Sequence, residues 1–152
     1  MNTYTIKRTI IGQVERGEDL YNGITRIVRE NNITVGRVTG LGAVRKAKLA
    51  YYDQKRMNYY DIVIDEAMEI VSLYGNVSLK AGKPFVHAHV VLSDEKGNGK
   101  GGHLLPGGSP VFACEVMIEE FVQRTPYGDG PELVRGFDEK TGLALWADEN
   151  KV

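Results

Sequence analysis

At 152 residues the chain has the size of one domain, and such a domain buries roughly 70% of its unfolded surface, enough for a real core. Nineteen Lys and Arg against twenty Asp and Glu give a formal charge of -1 and a pI near 6.3, with a mean hydropathy of -0.27. That balance gives no support to gripping nucleic acid through the whole surface and leaves only a local basic patch open.

The opening YTIKRTIIGQV alternates as a first strand does. Gly17, Glu18 and Asp19 then lead into a helix running to about Asn31, with Leu20, Ile24, Ile27 and Val28 on one apolar stripe and Asn31-Asn32 as the stop. Everything after it reads as strands. ITVGRVTGLGAV and KAKLAYYD are joined by a basic turn at Arg45 and Lys46. YYDIVIDEAMEIVSLYGNV is rich in β-branched and aromatic residues and is read with a turn at Gly75-Asn76. A second turn at Ala81-Gly82-Lys83-Pro84 precedes FVHAHVVL. GGHLLPGG and SPVFACEVMIEEFV are separated by Gly107-Gly108, and FDEKTGLALW closes with a hairpin about Lys140-Thr141-Gly142. The expectation is a single α+β domain over residues 1–152: an antiparallel or mixed sheet of about six to eight strands with one main helix.

All three histidines fall in one short stretch, His87 and His89 in PFVHAHVVL and His103 in GKGGHLL. Residues two apart on a strand share a face, so the H-x-H pair projects side by side. The intervening SDEKGNGKGG turns the chain back and brings His103 onto a neighbouring strand, where Gly101 and Gly102 allow close backbone approach. Three neutral imidazoles converging from a hairpin are a cage for a borderline metal, Zn2+ first, with nickel, copper and iron also suited to imidazole. A fourth ligand is undetermined: water, a neighbouring subunit, or Glu69, Cys114 or Glu115 from adjacent strands. Cys114 shares the alternation of Phe112, Val116 and Ile118 and reads first as a buried, inert thiol.

Other motifs lead less far. Gly97 to Gly102 matches G-x-G-x-x-G in letters, but a dinucleotide site needs a helix opening after the glycines, and here a strand follows. Asp94 to Gly99 fails as a calcium loop because Lys96 occupies a ligand position; the segment reads as a flexible hairpin loop. Gly40-Leu41-Gly42-Ala43 reads as a strand bend or bulge. Arg45, Lys46, Lys48, Lys55 and Arg56 near Tyr51 and Tyr52 are diluted by Asp53, Asp61 and Asp65, which makes them a solvated face. One cysteine forms no internal disulfide, the N-terminus lacks an apolar leader and no apolar run suits a bilayer, so the expected location is cytoplasmic, without a membrane partner.

The segments VTGLGAVRKAKLAYYD, EIVSLYGNVSLKAGKPFVHAHVVLSD and GGHLLPGGSPVFACEVMI, in that order, resemble the PPC domain (plant and prokaryote conserved). The resemblance implies a β-sheet with one main helix, assembly as a homotrimer, and a metal at His87, His89 and His103. In plants the domain follows AT-hook motifs in DNA-binding proteins. This chain has no AT-hook, since Arg16-Gly17-Glu18 and Arg135-Gly136-Phe137 lack the basic core that enters a minor groove. The expected function is therefore a zinc-binding homotrimer with a regulatory role, DNA-associated through a partner. The alternative is a metal-dependent enzyme acting on a small-molecule ligand through the three-histidine site.

Overall fold

The computed structural model describes residues 3–125, 128–130 and 132–147. One α-helix and one eight-stranded antiparallel sheet carry the fold. The strands are β1 (Thr5–Val14), β2 (Gly36–Val44), β3 (Ala47–Asp53), β4 (Asn58–Ile64), β5 (Met68–Lys80), β6 (Lys83–Ser93), β7 (Gly99–Leu104) and β8 (Val111–Val122), and their order across the sheet is β1-β8-β2-β5-β6-β7-β3-β4. Beyond them come a two-residue pair, β9 (Arg124–Thr125) with β10 (Gly128–Asp129), and a hairpin of β11 (Arg135–Asp138) and β12 (Leu143–Trp146). Every sheet pairing is antiparallel, which resolves the mixed alternative.

The helix α1 (Leu20–Glu30) starts where the sequence placed it because Asp19 caps it and ties it to the loop before β8. Its Oδ1 accepts from the Asn22 backbone N–H at 3.1 Å, a helix N-cap, while Oδ2 accepts from the N–H groups of Gly108 and Ser109, both at 3.0 Å. Leu20, Ile24, Ile27 and Val28 are buried against the inner face of the sheet, with Val38, Leu73, Val90 and Ile118 among the residues they join. Burying side chains of this size stabilises the fold by roughly 1.5–3 kcal/mol each.

Two local readings are corrected. Gly75-Asn76 is not a turn: β5 runs through it unbroken, and a Cβ at Gly75 would lie 2.7 Å from the His87 carbonyl oxygen, so this glycine lets β6 come close. Phe112 does not share the phase of Cys114. The register between β2 and β8 slips between Ala43 and Val44, and this bulge turns Phe112 outward while Val111, Cys114, Val116 and Ile118 stay in the core. The Asp94 loop joins β6 to β7 as a hairpin, and in it Asp94 Oδ1 accepts from the N–H groups of Lys96 and Asn98, both at 2.9 Å.

The outer face of the sheet, opposite α1, is only partly covered. Register places Ile11, Met117, Thr39, Tyr74, His89 and His103 in one row across six strands. The β11–β12 hairpin packs over one end of this face, where the Leu79 N–H donates to the Leu133 carbonyl at 2.8 Å and Arg135 inserts toward β5.

Candidate metal centre

Alternation along β6 buries Val86, Ala88, Val90 and Leu92 on the core side and turns His87 and His89 to the outer face. On β7 the antiparallel register sets His103 directly opposite His89, and across the next strand it faces Ala50. The glycines before it have a spatial reason. A Cβ at Gly102 would stand 2.8 Å from the Ala50 carbonyl oxygen, and one at Gly101 would stand 2.9 Å from that of Val90.

The three imidazoles therefore converge. Ring centroids are 5.2 Å apart for His87–His89, 5.0 Å for His87–His103 and 5.3 Å for His89–His103, and one nitrogen from each lies within 4.8 Å of the others. His87 and His103 are half-buried and His89 is exposed. Burial, then the Arg135 charge and the neighbouring His89, hold His87 down to about 4; burial, then His87, His89 and Arg135, hold His103 down to about 4. At neutral pH both rings are uncharged and keep a lone pair for coordination. His103 Nδ1 is buried with no hydrogen-bond partner, a vacancy that costs stability unless something fills it.

The fourth-ligand candidates lie elsewhere. Cys114 belongs to the core on the opposite face of the sheet, three strands from β6. Glu115 points outward but is separated from β6 by the same three strands, on the order of 14 Å. Glu69 is five residues along β5 from Tyr74, the partner of His89, roughly 15 Å away. Among the described residues no carboxylate or thiol joins the three histidines. Burial, and then the Glu115 charge, push the Cys114 thiol up to about 11. Iodoacetamide at pH 8 should accordingly label the folded chain about a hundredfold more slowly than the urea-unfolded chain; equal rates would contradict a buried, protonated thiol.

The walls around the cluster come from segments to which the sequence reading gave no part in the site. A cleft of about 700 Å³ opens between the histidines and the β11–β12 hairpin. Its hairpin wall is held by Arg135, which is only 9% exposed. Nε donates to Ser78 Oγ at 2.8 Å, Nη1 to the Ala144 carbonyl at 2.8 Å and Nη2 to Asn76 Oδ1 at 2.6 Å. The guanidinium also lies 5.4 Å from the Phe85 ring centroid and 5.9 Å from that of Trp146. On the other side Tyr59 packs against His103 with centroids 5.3 Å apart, and Tyr52 donates to the Thr141 carbonyl at 2.5 Å, tying the hairpin turn to β3. The terminal hairpin was readable from Lys140-Thr141-Gly142; its docking over the histidines depends on contacts with residues some 60 to 90 positions earlier in the chain.

Comparison with known proteins agrees with this architecture. The metal-containing protein of Archaeoglobus fulgidus has a crystal structure with 36% sequence identity and a TM-score of 0.86, covering 97% of this chain and 99% of that one. A plant- and prokaryote-conserved (PPC) protein from Pyrococcus horikoshii gives 34% identity and a TM-score of 0.85, with 97% and 96% covered. A "putative dna binding protein" from Bacteroides thetaiotaomicron, at 24% identity and a TM-score of 0.80 with 97% of both chains covered, is a likeness of fold. The bifunctional protein GlmU of Synechococcus sp. (strain JA-3-3Ab) is 28% identical over 108 residues, which is 70% of this chain and only 16% of that protein. With residues 1–122 matching its description, the chain belongs to the Plants and Prokaryotes Conserved (PCC) domain family.

Proposed function

We propose that residues 1–152 act as one metal-binding domain, in which His87, His89 and His103 hold a single divalent transition metal, zinc in the first place, within a homotrimer that has a regulatory role. The observation that carries the reading is the convergence of three outward-facing imidazole nitrogens within 4.8 Å, with the His103 Nδ1 otherwise unpartnered. The Archaeoglobus relative, itself called metal-containing, supports it. Tetrahedral zinc with three imidazoles keeps a fourth position, and a metal so placed would supply a Lewis acid or a water acidic enough to ionise near neutral pH.

Self-assembly rests on the bare part of the outer sheet face. Ile11, Leu41, Val71, Tyr74, Phe112 and Met117 stand there with exposures from 44% to 76%. An apolar surface of this extent on a domain of this size marks a contact with another chain. Sedimentation of the purified protein should give the mass of three copies, and a monomer at micromolar concentration would contradict the assembly.

DNA association, if this chain has it, runs through a partner. Several of its cations are engaged: Arg37 with Glu119, Lys48 with Asp61 at 2.8 Å, Arg26 with Glu18 at 2.9 Å, and Lys7 and Arg8 with Glu120 at 2.9 and 2.5 Å. A duplex at low salt should not shift with this protein alone; a complex that weakens steeply with salt would overturn that point. The enzymatic reading is favoured by one observation, the cleft of about 700 Å³ beside the histidines. It lacks a general-base carboxylate among the described residues of the cluster, so the cleft supports ligand binding before it supports turnover.

A further inference from the structure

The cleft beside the histidines has an unusual charge pattern. Its described lining includes two cations, Lys80 and Arg135, together with the three imidazoles, and contains no Asp or Glu. The rest of the wall is largely aromatic and aliphatic, Tyr52, Tyr59, Phe85 and Phe137 among it. Its volume of about 700 Å³ lies within the roughly 300–1,000 Å³ range of small-molecule sites. Neutral imidazoles do not cancel the charge of a divalent metal, and the carboxylates that could do so, Glu69 and Glu115, are far along or across the sheet.

From this we infer that the cleft binds a small organic carboxylate, its anionic head beside the three histidines and its apolar or aromatic body between the Tyr52–Tyr59 side and Phe137. The inference rests on the metal reading above and names the ligand class of that same site. Arg135 is not the primary hand for the anion, because its three nitrogens are already donating to Ser78, Ala144 and Asn76; it contributes long-range positive potential and holds the wall. Lys80, whose ammonium lies 5.0 Å from the Phe85 ring centroid, adds a second positive charge at the rim. Phe137, 74% exposed on β11, lines the cleft and lies outside the core. A preference for cationic ligands would need acidic side chains in the wall instead.

The experiment uses the full chain loaded with cobalt(II), whose visible d–d bands report the coordination sphere directly. Metal stoichiometry is measured first by equilibrium dialysis, so a failure to hold metal is recognised separately and removes both readings. With metal bound, benzoate should perturb the bands and saturate, whereas benzyl alcohol, of similar shape but neutral, should bind at least about tenfold more weakly. Phe137→Ala should weaken benzoate by about tenfold while leaving formate affinity and metal content unchanged, because formate has no body to contact that ring. Metal retained with no benzoate response, benzyl alcohol binding equally well, or formate and benzoate weakened alike by Phe137→Ala would each overturn the inference and leave the metal reading standing.

Discussion

His103→Ala should lower metal affinity by roughly a hundredfold or more, since even the outer partners of metal ligands are worth 10- to 100-fold and here a ligand itself is removed. The loss should be one of coordination and not of folding. His103 points to the outer face, away from the cluster of Val38, Leu73, Val90 and Ile118, and its backbone pairings with His89 and Ala50 do not involve the ring. Elemental analysis of the purified variant beside the parent, with circular dichroism to confirm the sheet, checks both halves. Full metal occupancy in a folded His103→Ala protein would falsify the three-histidine site.

The second large effect is on stability. Gly42 adopts φ +151°, and a Cβ there would stand 2.1 Å from the Ala113 carbonyl oxygen and 2.7 Å from the Cys114 Cα. Both obstacles are backbone of β8, which is paired on both sides and cannot swing aside as a flexible side chain could. Gly42 also follows the register slip between β2 and β5. Gly42→Ala should therefore cost about 3 kcal/mol or more, combining backbone strain with forced separation of two core strands. Urea unfolding should show the midpoint falling with little change in slope. A midpoint shift of less than about 0.5 kcal/mol in equivalent stability would mean that the bulge relaxes freely. Gly12 makes a natural control, because a Cβ there meets nothing within 4 Å.

The parts of this molecule that were legible in the sequence are those set by short-range geometry. The Leu20, Ile24, Ile27, Val28 stripe and its Asp19 start define a helix from local periodicity and capping alone. The H-x-H pair and the glycine-rich return to His103 specify a shared face through a period of two and a turn. The bulge at Gly40–Gly42 was readable because two glycines separated by one residue weaken strand pairing. Two failures share a cause. Gly75 carries a turn signal locally, yet its neighbours β2 and β6 hold it extended on both sides, and β6 uses the space its side chain leaves. Phe112 follows the alternation of its own strand on paper, but a bulge generated by pairing with β2 inverts the phase. Strand order also escaped, because β8 inserts between β1 and β2 and β7 between β6 and β3, pairings fixed only when distant segments meet. The same holds for Arg135: nothing local says that a basic residue near the C-terminal hairpin will be buried against Ser78 and Asn76.

The family match ends at residue 122, whereas the hairpin that walls the cleft spans residues 135–146. Base and wall thus come from separate stretches of chain, the imidazoles from within the matched residues and Phe137, Leu143 and Leu145 from beyond them. Exchanging Phe137, Leu143 or Leu145 would reshape the entrance without touching an imidazole, whereas Arg135 couples the hairpin to the histidines, because its charge helps keep His87 and His103 neutral.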